Sequence, residues 1–142
     1  MAIRQFDIQA ADRLIFGLCP GWHEHEYAPE TGLSWRWTSD RSVLQVRGPE
    51  APLRVRLRGE SPLKYFDDVP TVTLAAGARV VGRIQPASDF EFDVTVPADA
   101  VRAAGGDLVL ETSRAFVPAD GGSADMRRLG LRIFDVRVER AR

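Results

Sequence analysis

The chain has 142 residues, of which 44% are hydrophobic and 27% are charged. This length and composition predict one globular domain over residues 1–142 and exclude a disordered chain. With 19 basic and 20 acidic residues the formal net charge is −1, so no overall field favours nucleic acid or an anionic membrane as a partner.

The lack of a signal-peptide pattern in residues 1–13 and the cysteine content predict a cytoplasmic location. Residues 1–13 lack the apolar core of a signal peptide, and the apolar run at residues 14–18 is far shorter than the ~20 residues that span a bilayer. We therefore expect no membrane insertion. Cys19 is the only cysteine, which excludes an internal disulfide and fits a reducing compartment. Its apolar neighbours favour a small buried group over a nucleophile.

Short runs of strand-like composition follow one another along most of the chain. They occupy residues 3–8, 14–18, 34–38, 42–47, 52–58, 71–74, 78–84, 90–96, 107–112 and 132–139. Apolar and polar residues alternate most clearly in residues 52–58 and 90–96, as in strands with one buried face. In the last run, alternation predicts Ile133 on one face and Phe134, Val136 and Val138 on the other.

Glycine and proline mark the connections between these runs. Gly77 separates two of them and predicts a hairpin turn with positive φ. A single helical turn is predicted at residues 98–104, closed by a pair of glycines. The predicted loops are polar or contain glycine and proline, and they cover residues 24–32, 59–69 and 116–122. Many short strands with almost no helix predict an all-β sandwich or barrel.

Residues 21–38 are denser in potential binding groups than the rest of the chain. They hold all three tryptophans, Trp22, Trp35 and Trp37, and both histidines. On a strand over residues 34–38, Trp35 and Trp37 lie on one face and Arg36 on the other. Aromatic planes pack against the apolar faces of sugar rings, so the tryptophans are candidate sugar platforms. Packing into the core is the alternative for each of them.

The histidines allow a second interpretation, a metal site of the cupin kind. Gly17, His23, His25 and Glu30 have the spacing of the first half of a cupin signature. Two histidines on one side of a strand and a carboxylate from the next turn can hold Fe, Mn or Zn. A cupin also needs a histidine from a second motif, and no histidine follows His25. We therefore predict no metal or other cofactor, with His23, His25 and Glu30 as the alternative.

No pattern in the sequence predicts catalysis. Glu24 and Glu26 lie too close together on one segment to flank a glycosidic bond. No Ser-His-acid order, phosphate-binding glycine loop or Cys/His finger spacing occurs. Arg54, Arg56 and Arg58 alternate along one strand and could contact phosphates, but the near-zero net charge favours a solvated face. The protein is therefore predicted to be non-catalytic.

Two sets of motif residues carry a resemblance to a known family. The set near the C-terminus is Phe116, Pro118, Asp125, Arg127, Leu129 and Gly130. The set near the N-terminus is Gly21, Trp22, Glu26, Arg36, Trp37 and Thr38. Together they resemble the closing and opening motifs of β-sandwich accessory domains found beside bacterial glycosyltransferases and in uncharacterised cell-envelope proteins. The resemblance covers residues 17–139.

The resemblance implies a two-sheet antiparallel β-sandwich of jelly-roll or galactose-binding-like type, similar to carbohydrate-binding modules and usually non-catalytic. It implies a carbohydrate or a glycosyltransferase-type protein as partner, and it fixes neither the ligand nor the oligomeric state. The predicted ligand-binding residues are Trp22, His23, Glu26, Trp35, Arg36, Trp37, Asp125 and Arg127. A purely structural docking domain is a further alternative.

The same charged residues also allow a structural interpretation. A guanidinium pairs with a carboxylate through two hydrogen bonds and can fix a loop. Arg36, Asp125, Arg127 and Arg128 are thus predicted to form an ion network that ties residues 123–130 to the strand at residues 35–38.

Overall fold

A computed structural model of the chain describes residues 5–9, 14–48, 50–62, 66 and 68–141. Its strands are β1 (Gln5–Gln9), β2 (Leu14–Leu18), β3 (Glu26–Ala28), β4 (Leu33–Trp37), β5 (Arg41–Arg47), β6 (Leu53–Glu60), β7 (Val72–Ala76), β8 (Arg79–Ile84), β9 (Asp89–Val96), β10 (Asp107–Thr112) and β11 (Arg132–Arg140). Helical turns in this part of the chain are α1 (Ala98–Ala103) and a 3₁₀ helix (Pro118–Gly121).

The strands form two antiparallel sheets. The six-stranded sheet has the order β1-β2-β5-β10-β7-β8, and the five-stranded sheet has the order β3-β4-β11-β6-β9. Most consecutive strands lie in different sheets, which is the crossing connectivity of a jelly roll. The predicted all-β, two-sheet antiparallel sandwich is confirmed.

The core lies between the sheets. It is built from the apolar residues of strands in which apolar and polar residues alternate. In β6, Leu53, Val55 and Leu57 are buried, and the three arginines between them lie on the opposite side. Side chains of β5, β7, β9 and β10 complete the same core. A fully buried leucine or valine stabilises the fold by about 1.5–3 kcal/mol, so alternation in sequence determines which face of each strand packs inward. Cys19 is buried, as predicted.

β11 departs from the predicted alternation at a β-bulge. Its register with β6 shifts between Ile133 and Asp135, and a bulge reverses the alternation that follows it. Ile133 and Val138 are both buried, with 2% and 0% of their surface exposed. The prediction that they lie on opposite faces is therefore wrong. Phe134 instead contacts arginines on the outer side of the sheet.

Gly59 of β6 lies opposite the bulge, where the two strands come close together. It pairs with Ile133, and an added Cβ would lie 2.8 Å from both Ile133 Cδ1 and the carbonyl oxygen of Arg132. Such contacts are too short for carbon. The absence of a side chain at this position therefore allows the bulged strand to pack closely on β6.

Several connections match the predictions, and others differ. Gly77 has φ of 60° in the β7–β8 turn, which confirms the hairpin, and the helical turn at residues 98–104 is also confirmed. The predicted loop at residues 24–32 contains β3, and the loop at residues 116–122 contains the 3₁₀ helix. Residues 63–65 and 67 of the predicted loop at residues 59–69 lie outside the described residues.

Candidate functional site

The outer face of the five-stranded sheet, the face turned away from the core, brings several of the predicted site residues together. Strand pairing places Trp35 opposite Glu26 and Trp37 opposite Arg132. Directly paired residues share a face, so the β3–β4–β11 register assembles an aromatic and charged surface. The prediction that Trp35 and Trp37 lie on one face is confirmed.

Glu26, Trp35, Asp125 and Arg127 form a connected group, called here the Glu26 cluster. Trp35 Nε1 donates to a Glu26 carboxylate oxygen at 3.2 Å. Arg127 donates to the same oxygen at 3.4 Å and to both Asp125 oxygens, with its shortest contact at 2.8 Å. The cluster joins the loop at residues 122–131 to β3 and β4. Each group therefore has its position fixed by at least one other.

The charges in this cluster stabilise one another. Hydrogen bonds from the Arg127 guanidinium lower the pKa of Asp125 from 3.8 to about 2. The same pairing with Asp125 raises the pKa of Arg127. About a third of each ionic side chain remains exposed to solvent, which screens these interactions but leaves oxygen and nitrogen atoms accessible. The cluster is a shallow surface on which Asp125 and Arg127 are charged at neutral pH.

A row of alternating rings and guanidinium groups extends from the cluster along the sheet. The guanidinium carbon of Arg132 lies 5.0 Å from the centre of the Trp35 ring and 5.2 Å from that of Phe134. The guanidinium carbon of Arg58 lies 5.5 Å from the Phe134 ring. Arg132 also pairs with Glu60 at 2.9 Å. These distances are within the range of cation–π attraction, and we call Trp35, Arg132, Phe134 and Arg58 the arginine–aromatic row.

The residues of the C-terminal motif hold the loop beside this face. Phe116 and Leu129 pair through backbone hydrogen bonds of 2.8 and 2.7 Å, and Leu129 is buried. The Gly130 N–H donates to the carbonyl of Thr38 at 2.7 Å. A Cβ at Gly130 would lie 2.6 Å from the carbonyl oxygen of Ser39, so only glycine fits there.

Trp37 and His23 lie at the junction between the loop and the sheet. The Trp37 ring meets the Phe116 ring edge to face, with centroids 5.7 Å apart. His23 Nε2 lies 2.9 Å from the carbonyl oxygen of Arg128. Because a carbonyl only accepts, this bond requires the proton on Nε2. Both side chains are half-buried, so they contribute to the packing of the loop as well as to the surface.

The structure separates Trp22 and Arg36 from the Glu26 cluster. Trp22 packs against the core, and its Nε1 donates to the carbonyl of Val43 at 3.0 Å. Arg36 pairs with Ile133, whose side chain is buried, and donates to the carbonyl of His23 at 3.1 Å. It lines a cleft of about 130 Å³ together with Phe16, Trp35 and Ile133.

The predicted ion network is therefore present with different members. Asp125 and Arg127 extend to Glu26, while Arg128 pairs separately with Asp40 at 3.3 Å. The sequence pattern identified the loop residues but not their partner, because Glu26 comes from a strand that was predicted to be a loop. The link to β4 is made through Trp35 rather than Arg36.

The cupin-like alternative receives no geometric support. His25 and Glu30 are exposed, and His23 bonds a backbone carbonyl. Among the described residues, no three His, Cys, Asp or Glu side chains are grouped so that they could hold a metal ion.

Sequence reasoning missed Arg58, Glu60, Arg132 and Phe134 as members of this surface. Alternation along β11 assigned Phe134 to the same face as Val136 and Val138, because the bulge depends on pairing with β6 and is not visible in β11 alone. The one available signal was Gly59, an isolated glycine within a strand pattern, which often marks a bulge or a close approach of backbones.

Comparison with known proteins does not identify the chain. No protein-family model matches it, and neither the curated proteins nor the solved structures give a significant match. None of the helices in the described ranges has the length and apolar character needed to cross a bilayer. The function is therefore inferred from the site.

Proposed function

We propose that this chain is a non-catalytic carbohydrate-binding domain whose shallow site is the outer sheet face around Trp35. The observation that carries the proposal is the set of polar and charged groups in contact with this tryptophan. Trp35 is half-buried, its indole N–H is held by Glu26, and charged side chains of Arg127 and Arg132 lie beside it. The motif resemblance to accessory domains of glycosyltransferases points in the same direction.

The chemistry of these groups suits a sugar. A sugar ring has an apolar face that packs on an aromatic plane and hydroxyl groups that pair with planar carboxylates and guanidinium groups. Glu26, Asp125 and Arg127 remain about one-third exposed, so they offer further hydrogen bonds to a ligand. Because they already hold one another in place, little side-chain entropy is lost on binding.

The state of Asp125 supports a binding role rather than catalysis. A general acid needs a pKa near the working pH, whereas the pKa of Asp125 is lowered to about 2 by Arg127. At neutral pH it accepts hydrogen bonds and does not deliver a proton.

The test is calorimetric titration of the protein with a panel of oligosaccharides, repeated for Trp35→Ala and for Tyr27→Ala. Tyr27 is a matched control because it is 62% exposed and adjacent to Glu26 in β3, but on the opposite face of the strand. We expect Trp35→Ala to weaken binding about tenfold or more, the effect of removing a central aromatic contact. Tyr27→Ala should leave the affinity unchanged.

Two results would contradict the proposal. One is equal affinity of the wild type and Trp35→Ala for the same saccharide. The other is the absence of binding by any member of the panel, which would favour docking onto a glycosyltransferase-type protein instead. The circular dichroism spectrum and thermal unfolding of each variant serve as controls for folding.

A further inference from the structure

The far end of the arginine–aromatic row holds an arginine, Arg58, whose contacts differ from those of its neighbours. Arg54, Arg56, Arg132 and Arg137 each have a carboxylate oxygen within 4.0 Å. Arg58 has no such partner among the described residues, and its contact there is with the Phe134 ring. Glu91 and Asp135 both pair with Arg58 in the strand register, one on each side, yet neither carboxylate forms a salt bridge with it. Among the described residues, no carboxylate is therefore paired directly with the Arg58 guanidinium.

Arg58 also lines a groove that could receive a ligand group. The groove has a volume of about 370 Å³ and is lined on its charged side by Arg54, Arg56, Arg58, Glu91, Asp93, Asp135 and Arg137. This volume is at the lower end of the range for small-molecule sites. The lining holds four arginines and three carboxylates, and Glu139 beside it pairs with Arg56, so the charges balance. Among the described residues, Arg58 is the arginine of the lining without a salt bridge. Arg56 Nε, on the same face, makes no hydrogen bond among the described residues and lies 3.8 Å from Asp93 Oδ2.

We propose that the carbohydrate is acidic and that Arg58 binds its carboxylate while the sugar rings lie along the arginine–aromatic row. This inference depends on the proposed function. A guanidinium binds a carboxylate through two parallel hydrogen bonds, and Phe134 holds Arg58 in place for that contact. The Arg58 guanidinium, which has no salt-bridge partner among the described residues, offers its planar pair of donors to one monoanionic carboxylate. A phosphate dianion would be repelled more strongly than a carboxylate by Glu91, Asp93 and Asp135.

The experiment compares an oligogalacturonate with a neutral galacto-oligosaccharide of equal length by calorimetry at low ionic strength. The wild type is expected to bind the acidic oligosaccharide about tenfold more tightly, the effect of one charged hydrogen-bonded contact. Arg58→Gln should reduce this affinity to the level of the neutral oligosaccharide. Arg58→Lys should recover only part of it, because lysine keeps the charge but loses the planar pair of donors.

Arg54→Gln is the matched control. Arg54 lines the same groove, but its guanidinium already makes two hydrogen bonds to Asp93, at 3.0 and 2.6 Å. We expect this variant to keep the preference for the acidic oligosaccharide. Equal effects of Arg54→Gln and Arg58→Gln would show a general electrostatic attraction and overturn the assignment to Arg58.

The outcomes separate this inference from the function on which it depends. Equal binding of the neutral and acidic oligosaccharides, with no effect of Arg58→Gln, overturns the inference and leaves the carbohydrate-binding function standing. Binding of neither oligosaccharide, nor of any other in the panel, overturns both. Tighter binding of a sulfated galacto-oligosaccharide than of the oligogalacturonate would overturn the assignment of a carboxylate.

Discussion

The two ends of the outer sheet face use arginine in different ways. Near Trp35, Arg132 lies close to two aromatic rings and pairs with Glu60, and about a quarter of its side chain is exposed. At the other end, Arg54 and Arg56 pair with Asp93 across strands, and all three side chains are about two-fifths exposed. Exposed ion pairs contribute little to stability, whereas packed aromatic and charged groups form a rigid surface. The contacts around arginine, more than the number of arginines, distinguish the packed surface around Trp35 from the exposed ion pairs around Asp93.

The bulge is the feature that creates this difference, and Gly59→Ala tests it with the largest expected effect. The added methyl would collide with Ile133 and with the backbone of Arg132, and we expect a loss of roughly 2–3 kcal/mol in the free energy of unfolding. Urea unfolding measures the loss. Gly121→Ala is the control, since no atom lies within 4 Å of its Cβ position. Equal stability of the two variants would contradict the packing described for the bulge.

The second prediction compares Arg132→Ala with Arg54→Ala. Removing Arg132 leaves Glu60 half-buried without its partner and removes a cation from two rings. We expect a loss of about 2 kcal/mol in the free energy of unfolding. Arg54→Ala should change stability far less, because solvent replaces an exposed partner. The same chemical denaturation series measures both variants, and similar losses would remove the distinction between the two ends.

The third and smallest effect is the acid sensitivity contributed by Asp125. Its pKa in the folded chain is about 2, below the ordinary value of 3.8. Ionised Asp125 therefore stabilises the fold above pH 3.8, and this contribution is lost as the pH falls towards 2. The stability difference between the wild type and Asp125→Asn should shrink over that interval. The pKa values of Asp68 and Asp93 are also lowered by their arginine partners, but these groups titrate in both proteins and cancel in the difference.

Urea midpoints at pH 7, 4 and 2 measure this effect. A difference that stays constant over this range would contradict the assigned pairing. Arg127→Gln gives an independent check, because it should raise the pKa of Asp125 towards its ordinary value in an NMR titration of the carboxyl carbon.

The sequence predicts the inner face of this sandwich better than the outer face. Alternation in β6 and β9, and the turn at Gly77, reflect local burial and local φ, which neighbouring residues determine. The Glu26 cluster depends on contacts across about one hundred residues, from Glu26 to Arg127, and no local pattern encodes such a pairing. The motifs contain Glu26 and Arg127, the two ends of the cluster, but they do not show that these residues pair. The members supplied by β6 and by the bulge in β11 become visible only when the strands are paired.

The most direct test of carbohydrate binding at this face is a proton–nitrogen NMR titration that follows the indole N–H signals. Trp35 donates its indole proton to Glu26 within the proposed site, whereas Trp22 donates to the backbone of Val43 away from it. As a neutral or acidic oligosaccharide is added, the Trp35 signal should shift and saturate while the Trp22 signal stays in place. No shift of the Trp35 signal, or equal shifts of both signals, would contradict a sugar site centred on Trp35.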